Sequence, residues 1–324
     1  MSDGMDEAGQ PGPGTEMVGH AELARPPAVE FVGVTKIYGA GTPREFVAIE
    51  NVSFSVPDRV DHGEICSFLG PSGCGKSTVL RLVAGLEPQH PPTLGSVRVL
   101  GREIGGPGAD RGMVFQDYTS FDNRTVLDNV VFGLECRGVS RREREREGLE
   151  WIARVGLDPR RDAEKYPHEL SGGMRQRVAI ARTLILRPRT ILMDEPFGAL
   201  DPATRLDMQD LLVRLWQEVE ATVLFVTHSV EEAVYLGDRV FVMGTAPGRI
   251  VEEMHLPVAA APARETQSEP WFHEQVDHIH ARIAEVEAAA RHPGGGLARH
   301  PGGGLARHPG GGLARDNARG TVSG

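Results

Sequence analysis

"GPSGCGKST", Gly70 to Thr78, spaces Gly70, Gly73 and Gly75 around Pro71, Ser72 and Cys74, then closes on Lys76, Ser77 and Thr78. The positions of Gly70, Gly75, Lys76 and Ser77 are those of a phosphate-cradling loop, in which bare glycine backbone lets N–H groups curl around a phosphate chain. In that arrangement the lysine reaches the terminal phosphates and the serine hydroxyl a magnesium ion. Such a loop requires a strand before it and a helix after it. Ile65 to Leu69 is an apolar run of strand length, and Leu80, Val83 and Ala84 recur at helical spacing up to Gly85, placed as a C-cap. Lysine is scarce, with only Lys36, Lys76 and Lys165 among 35 basic residues. A compact ammonium stands at Lys76, where arginine's planar fork would crowd the phosphates.

The 324 residues suffice for one large or two moderate domains with a real core. Cys66, Cys74 and Cys136 suggest no disulfide framework, and the acidic N-terminus lacks the basic-then-apolar order of a secretory signal, so the expected compartment is the cytosol. No apolar stretch approaches the roughly 20 residues needed to span a bilayer. The formal charge of −10 argues against general binding to nucleic acid. Residues 1–27, rich in Gly, Pro and acid, read as an unstructured leader. From Arg291 onward five arginines and one aspartate leave +4 on the tail and therefore −14 on the remainder. The tail, 291–324, repeats "ARHPGGGL" and is too poor in apolar residues to build a core. Its His292, His300 and His308 have the spacing of a metal array, but ordering so flexible a ligand set would cost too much.

Between these ends, strand-like runs recur at Val29–Val34, Ile65–Leu69, Ser96–Leu100, Gly112–Phe115, Thr190–Met193, Val223–Thr227 and Arg239–Met243. Apolar runs buried on both faces, interleaved with amphipathic helices, predict an α/β core with a mainly parallel sheet, preceded by antiparallel N-terminal strands. Strand signals vanish between Gln116 and Tyr166. There Thr125-x-x-Asp128 and Ser140-x-x-Glu143 look like capping boxes, so about 117–165 is expected to be an inserted α-helical subdomain of a domain spanning 28–262. "RREREREG", Arg141 to Gly148, reads as a solvated helix face. Within 263–290, Phe272, Val276, Ile279, Ile283 and Val286 form the stripe of an amphipathic helix that docks on the body or on a second copy.

Two further stretches carry chemistry. Thr190-Ile-Leu-Met193 is an apolar strand ending in Asp194 and Glu195, which suits one carboxylate to a metal's water shell and the other to positioning an attacking water. In "LSGGMRQRVAIARTL", Leu170 to Leu184, Ser171 is placed as an N-cap before Gly172 and Gly173, with Met174, Val178, Ala181 and Ile185 as the helix's apolar stripe. A helix N-terminus so exposed is a second phosphate-binding device.

Together "GPSGCGKST", "LSGGMRQR", "ILMDEP" and "GALD" make the chain resemble the ATP-binding subunit of ABC transporters, over about Ala28 to Leu256. Within that family, "GPGADRGMVFQDYTSF" and "HSVEEAVYLGDRVFVM" look like the importers of nitrate, sulfonate, taurine and bicarbonate. The resemblance implies ATP and Mg²⁺ as ligands, with Asp194 and Ser77 on the metal and Glu195 on the water. It makes Gln116 the glutamine that touches Mg²⁺ and senses the permease, and His228 the switch histidine at the γ-phosphate. Asp201 becomes the residue linking two sites across a dimer, and Tyr38 the aromatic stacked on adenine. Asp201 is also placed as the N-cap before Pro202.

Two features depart from the pattern. "PDRVDHGE", Pro57 to Glu64, is longer than the usual link, and "SFDNRTV" carries Asp122-Asn123-Arg124 where the importer group tends to have a proline-tryptophan pair. The resemblance implies a peripheral subunit on the cytoplasmic face of the inner membrane, working with integral-membrane permeases and, through them, an extracytoplasmic solute-binding protein. Two copies, or a copy and a homologue, would close over two ATP molecules, each supplying Ser171 to the other's Lys76. The competing reading is a soluble non-transport ABC ATPase acting on nucleic acid or ribosomes, but the coiled coils or second ATPase domain usual in such proteins are absent.

Overall fold

The computed structural model describes residues 25–59, 63–117, 120–245, 247–257 and 261–291. Most of the expected leader, the repeat tail with its three histidines, and part of the Pro57–Glu64 link lie outside them. From the N-terminus, β1 (Val29–Tyr38) and β2 (Phe46–Val56) form a hairpin, and β3 (Ile65–Leu69) runs through the glycine-rich loop into α1 (Lys76–Ala84). Then come β4 (Leu94–Val99), β5 (Arg102–Glu103) and β6 (Arg111–Val114), followed by α2 (Val126–Cys136), α3 (Arg141–Arg154) and the single turn α4 (Pro159–Asp162). A 3-10 turn at Pro167–Glu169 leads to α5 (Gly172–Leu184). Strand and helix alternate through β7 (Thr190–Asp194), α6 (Pro202–Val219), β8 (Thr222–Val226), α7 (Val230–Leu236) and β9 (Arg239–Gly244). β10 (Arg249–His255), α8 (Ala263–Thr266) and α9 (Pro270–Arg291) follow.

Two sheets result. The antiparallel one has the order β2-β1-β4-β5, and the larger one the order β10-β9-β3-β8-β7-β6. In the larger sheet β9, β3, β8, β7 and β6 are parallel, and β10 returns antiparallel along β9. Its central strands are apolar throughout because each residue faces one of two cores. Cys66, Phe68, Leu224, Val226 and Phe241 join the core shared with α1 and the antiparallel sheet, while Val223, Phe225, Val240 and Val242 join the core under α5, α6 and α7. In the first core, Phe31 stacks on Phe54 at 4.6 Å between ring centres and Phe68 on Phe241 at 4.9 Å. Phe54, 5.4 Å from Phe68 and 5.2 Å from Phe241 between ring centres, ties the antiparallel sheet to the larger one at the strand that feeds the loop.

The local signals read above place the helix starts. Thr125, Ser140, Ser171 and Asp201 each accept a hydrogen bond from the backbone N–H three residues on, and Gly85 ends α1 in the left-handed region at φ 73°. Three strands lie outside the apolar runs. In β2 buried Val52, Phe54 and Val56 alternate with exposed residues, β5 is two charged residues long, and β10 is an edge strand rich in charge with no fully buried residue. All three fall below a criterion based on continuous hydrophobicity. Among the described residues no helix is long and apolar enough to cross a membrane.

The stripe on α9 lies on this chain's own body. Phe272, Val276, Ile279 and Val286 are buried in the α7 and β9 surface, and Glu252 of β10 accepts from Arg282 and pairs with His278 at 3.2 Å. Phe272→Ala should therefore destabilise the domain by roughly 3–5 kcal/mol, read as a fall in the midpoint of urea unfolding. An unchanged midpoint would show the stripe to be idle.

Candidate functional site

The glycine-rich loop closes because three backbone segments pass within contact distance at positions with no side chain. Gly75 precedes α1 with φ 93°, and a Cβ there would meet Ile49 Cγ2 at 2.3 Å; at Gly70 it would meet the Met243 carbonyl oxygen at 2.5 Å. Gly248 was not singled out by any motif, yet a Cβ on it would lie 2.1 Å from the Cys74 carbonyl oxygen. Its N–H donates to Ala48 O at 3.1 Å and its carbonyl accepts from Glu50 N at 2.9 Å, so it pins the loop to β2. The only sequence signal for it was a proline-glycine turn before β10.

Inside the loop Lys76 Nζ donates to Gly70 O at 2.7 Å and Pro71 O at 3.2 Å, with Cys74 Sγ 3.7 Å away. Burial pushes the Cys74 thiol up, so it stays a neutral wall of the loop. One residue on, Ser77 Oγ donates to Asp194 Oδ1 at 2.9 Å, and Arg81, a helical turn further along α1, brings its guanidinium to 3.6 Å from Asp194 Oδ2. Burial pushes the Asp194 carboxyl up, opposed by the Ser77 hydrogen bond and by Arg81. Arg81 escaped the sequence reading, although its one-turn spacing from Ser77 was the available signal.

Glu195 follows in the left-handed region at φ 47°, a conformation costing a non-glycine residue about 1–2 kcal/mol. The bend turns its carboxylate out of the sheet, while Glu195 N still donates to Val226 O at 2.9 Å. One oxygen, Oε2, then receives two groups from different strand ends: Gln116 Nε2 at 3.4 Å and His228 Nδ1 at 3.1 Å. Lys76, Ser77, Asp194, Glu195, Gln116 and His228, singled out from four separated stretches of sequence, are thus one cluster beside the ends of the parallel strands. Tyr38 sits at the end of β1 opposite Phe46, its ring 5.5 Å from Lys36 Nζ, on the hairpin whose Ala48 and Ile49 support the loop.

Ser171, Gly172, Gly173 and Asp201 form a second group. Ser171 Oγ accepts from Met174 N at 3.3 Å, and Asp201 Oδ1 from Thr204 N at 3.1 Å; the hydrogen bonds from Thr204 hold the Asp201 carboxyl below its usual range. A Cβ on Gly173 would meet Thr204 at 2.8 Å, so the starts of α5 and α6 abut, whereas one on Gly172 meets nothing within 4 Å. Among the described residues no hydrogen bond joins Ser171, Gly172 or Gly173 to Lys76, Asp194, Glu195 or His228.

Beside Gln116 lies an apolar cavity of about 540 Å³, floored by Phe115, Phe132 and Leu186 and rimmed by Arg111, Arg182 and Phe121. The departing segment forms its lip. Fully buried Asn129 holds it, accepting from Phe121 N at 2.7 Å and donating to the carbonyls of Phe121, Arg124 and Thr125 at 2.9–3.1 Å. Arg124 lies over the Phe132 ring at 4.9 Å.

A loop that only backbone can line, beside a hydroxyl-carboxylate pair of hard oxygens, fits a nucleotide's phosphates and a magnesium ion. The fold and this site define a P-loop nucleotide-binding cassette. The chain belongs to the ABC transporter ATP-binding family, whose domain pattern matches residues 49–198. It is 44% identical over 255 residues to a taurine import ATP-binding protein of Rhizobium johnstonii, an alignment covering 77% of this chain and 94% of that protein. It is 42% identical over 261 residues to a nitrate import ATP-binding protein of Synechocystis, covering 79% and 94%. The dimeric cassette MJ0796 bound to ADP and phosphate superposes with a TM-score of 0.60 at 33% identity, covering 71% of this chain and all of that one.

Because Gly248 touches the loop backbone itself, Gly248→Ala should weaken MgATP binding about tenfold, as an overpacked contact does. Titration calorimetry on the purified chain checks this. Wild-type affinity would mean that the close approach to Cys74 is dispensable.

Proposed function

We propose that this chain is the ATP-hydrolysing subunit of an importer for a small solute, driving uptake through separate integral-membrane permeases. The observation that carries the chemistry is the convergence of Gln116 and His228 on one oxygen of Glu195, next to the Ser77–Asp194 pair. Lys76 and the loop N–H groups hold the β- and γ-phosphates, and Tyr38 stacks on the adenine. Ser77, Asp194 and Gln116 hold Mg²⁺, which when bound neutralises charge on the phosphate oxygens. Glu195 orients the attacking water and accepts its proton, with His228 and Gln116 fixing that carboxylate from two sides.

The relatives are named for taurine and nitrate import, which supports nitrate or a sulfonate such as taurine as the cargo; bicarbonate as a further candidate, and delivery by an extracytoplasmic binding protein, rest on the family resemblance. The apolar cavity beside Gln116 supports docking of a permease segment there, which favours transport over a soluble ATPase acting on nucleic acid. The chain would then lie peripherally on the cytoplasmic face of the membrane. A second copy supplies Ser171, Gly172, Gly173 and Asp201; the open space at Gly172 and the lack, among the described residues, of any hydrogen bond from Ser171, Gly172 or Gly173 to the chain's own loop group support this.

Glu195→Gln keeps the side-chain shape and loses the base. It should bind MgATP normally and hydrolyse it about 10²–10⁴-fold more slowly, and wild-type turnover in the purified variant would sink the assignment. The composite site has its own test in that background. Lys76→Ala and Ser171→Arg homodimers should each trap little ATP, whereas a tagged mixed dimer regains one interface with intact Lys76 and intact Ser171. Trapping no greater than in either homodimer would show that Ser171 does not complete its partner's site.

A further inference from the structure

Glu232, in the first turn of α7, is only 4% exposed, yet it is not part of the cluster around Glu195. Both its oxygens are engaged. Oε2 accepts from Thr227 Oγ1 at 2.5 Å, and Oε1 forms an ion pair with Arg205 Nε of α6 at 3.5 Å. The other end of the guanidinium, Nη2, donates to Leu200 O at 3.0 Å. Thr227 immediately precedes His228, and Leu200 immediately precedes Asp201.

These contacts close a ring. Glu195 leads through the turn in which Gly198 N donates to Glu195 O at 3.2 Å and Leu200 N to Phe197 O at 3.1 Å. From Leu200 the path crosses Arg205 and Glu232 to Thr227, and His228 returns it to Glu195 Oε2 at 3.1 Å. Burial pushes the Glu232 carboxyl up, and the Thr227 hydrogen bond and Arg205 oppose that push. The pair is half-buried, Glu232 being 4% exposed while the Arg205 side chain keeps 31% of its surface in solvent, so its net contribution to stability is small. What it does impose is geometry: the guanidinium is held at one end by the Leu200 carbonyl and at the other by the charge of Glu232, which keeps Leu200 and Thr227 at a set separation.

We propose that Arg205 and Glu232 are positioning residues for hydrolysis, a strut that sets His228 and the Asp201 segment at fixed places relative to Glu195. The inference rests on the ATPase reading given above. Through the strut, a displacement of Asp201 by a partner chain is felt at His228, and the reverse. The strut touches neither phosphate loop nor nucleobase, so it acts on turnover and not on affinity.

The test uses the full chain with two near-isosteric variants. Glu232→Gln still accepts from Thr227 but loses the charge facing Arg205, and Thr227→Val removes the hydroxyl alone. Both should keep the MgATP dissociation constant within twofold while kcat falls about tenfold or more, because misplacing a catalytic group by an ångström suffices for that. The double variant should fall no further than the worse single one, since both break the same ring. A second readout needs no turnover: with ¹³C-labelled histidine, the His228 ring signal, assigned by its loss in His228→Ala, should shift in Glu232→Gln without nucleotide. Failure of the wild type to hydrolyse ATP would remove the ATPase reading and leave the His228 shift to decide the strut. An unmoved His228 signal, a wild-type kcat, additive losses, or a fall in kcat matched by an equal loss of affinity would each overturn the proposal.

Discussion

The close passage of backbone at Gly70, Gly75 and Gly248 is the constraint on which the rest of the structure depends. None of the three tolerates a Cβ, because Met243 O, Ile49 Cγ2 and Cys74 O already occupy that space. The phosphate loop is therefore not a flexible appendage on β3. It is wedged between β2, the end of β9 and the turn before β10, and the Phe31, Phe54, Phe68 and Phe241 cluster fixes the two sheets that supply those walls. Lys76 and Ser77 inherit their positions from that packing, and Asp194 reaches Ser77 because β7 ends beside the loop.

Charge is handled differently at each place in the site. Lys76 is compensated by carbonyl oxygens, Asp194 by a hydroxyl and a distant guanidinium, and Glu195 by two neutral-capable groups on a single oxygen. The backbone at Glu195 is held in an unfavourable region, and such strain persists only where surrounding contacts over-determine it. The Val226 hydrogen bond and the ring through Leu200 and Thr227 provide that constraint.

Signals that are local in sequence were legible. The caps at Thr125, Ser140, Ser171 and Asp201, the C-cap at Gly85 and the apolar strands of the parallel sheet each depend on neighbours within a few residues, and the chain shows them at those places. Within the cluster around Glu195, Lys76 and Ser77 were legible from the glycine-rich motif and Asp194 and Glu195 from the apolar strand that ends in them, whereas Gln116 and His228 came only with the family resemblance. Gly248 and the pairing of Arg205 with Glu232 were not legible, because their partners are brought together only by the closed fold. The strands β2, β5 and β10 were missed because exposed or charged residues interrupt each of them. The stripe on α9 was legible as a stripe, but no periodicity could say which surface would receive it.

The two sheets differ from an aggregation-prone template in how their borders end. β10 presents Arg249, Glu252, Glu253 and His255 along the outermost rim of the larger sheet, the opposite border β6 is four residues long, and β5 closes the smaller sheet with two. Charged or truncated borders deny a foreign strand the row of free amides it would need to add on. The fourth border, β2, is 11 residues long, and there Gly248 covers part of the edge, its N–H donating to Ala48 O and its carbonyl accepting from Glu50 N. Each border is thus charged, short or partly covered, which steers copies of this chain away from sheet extension.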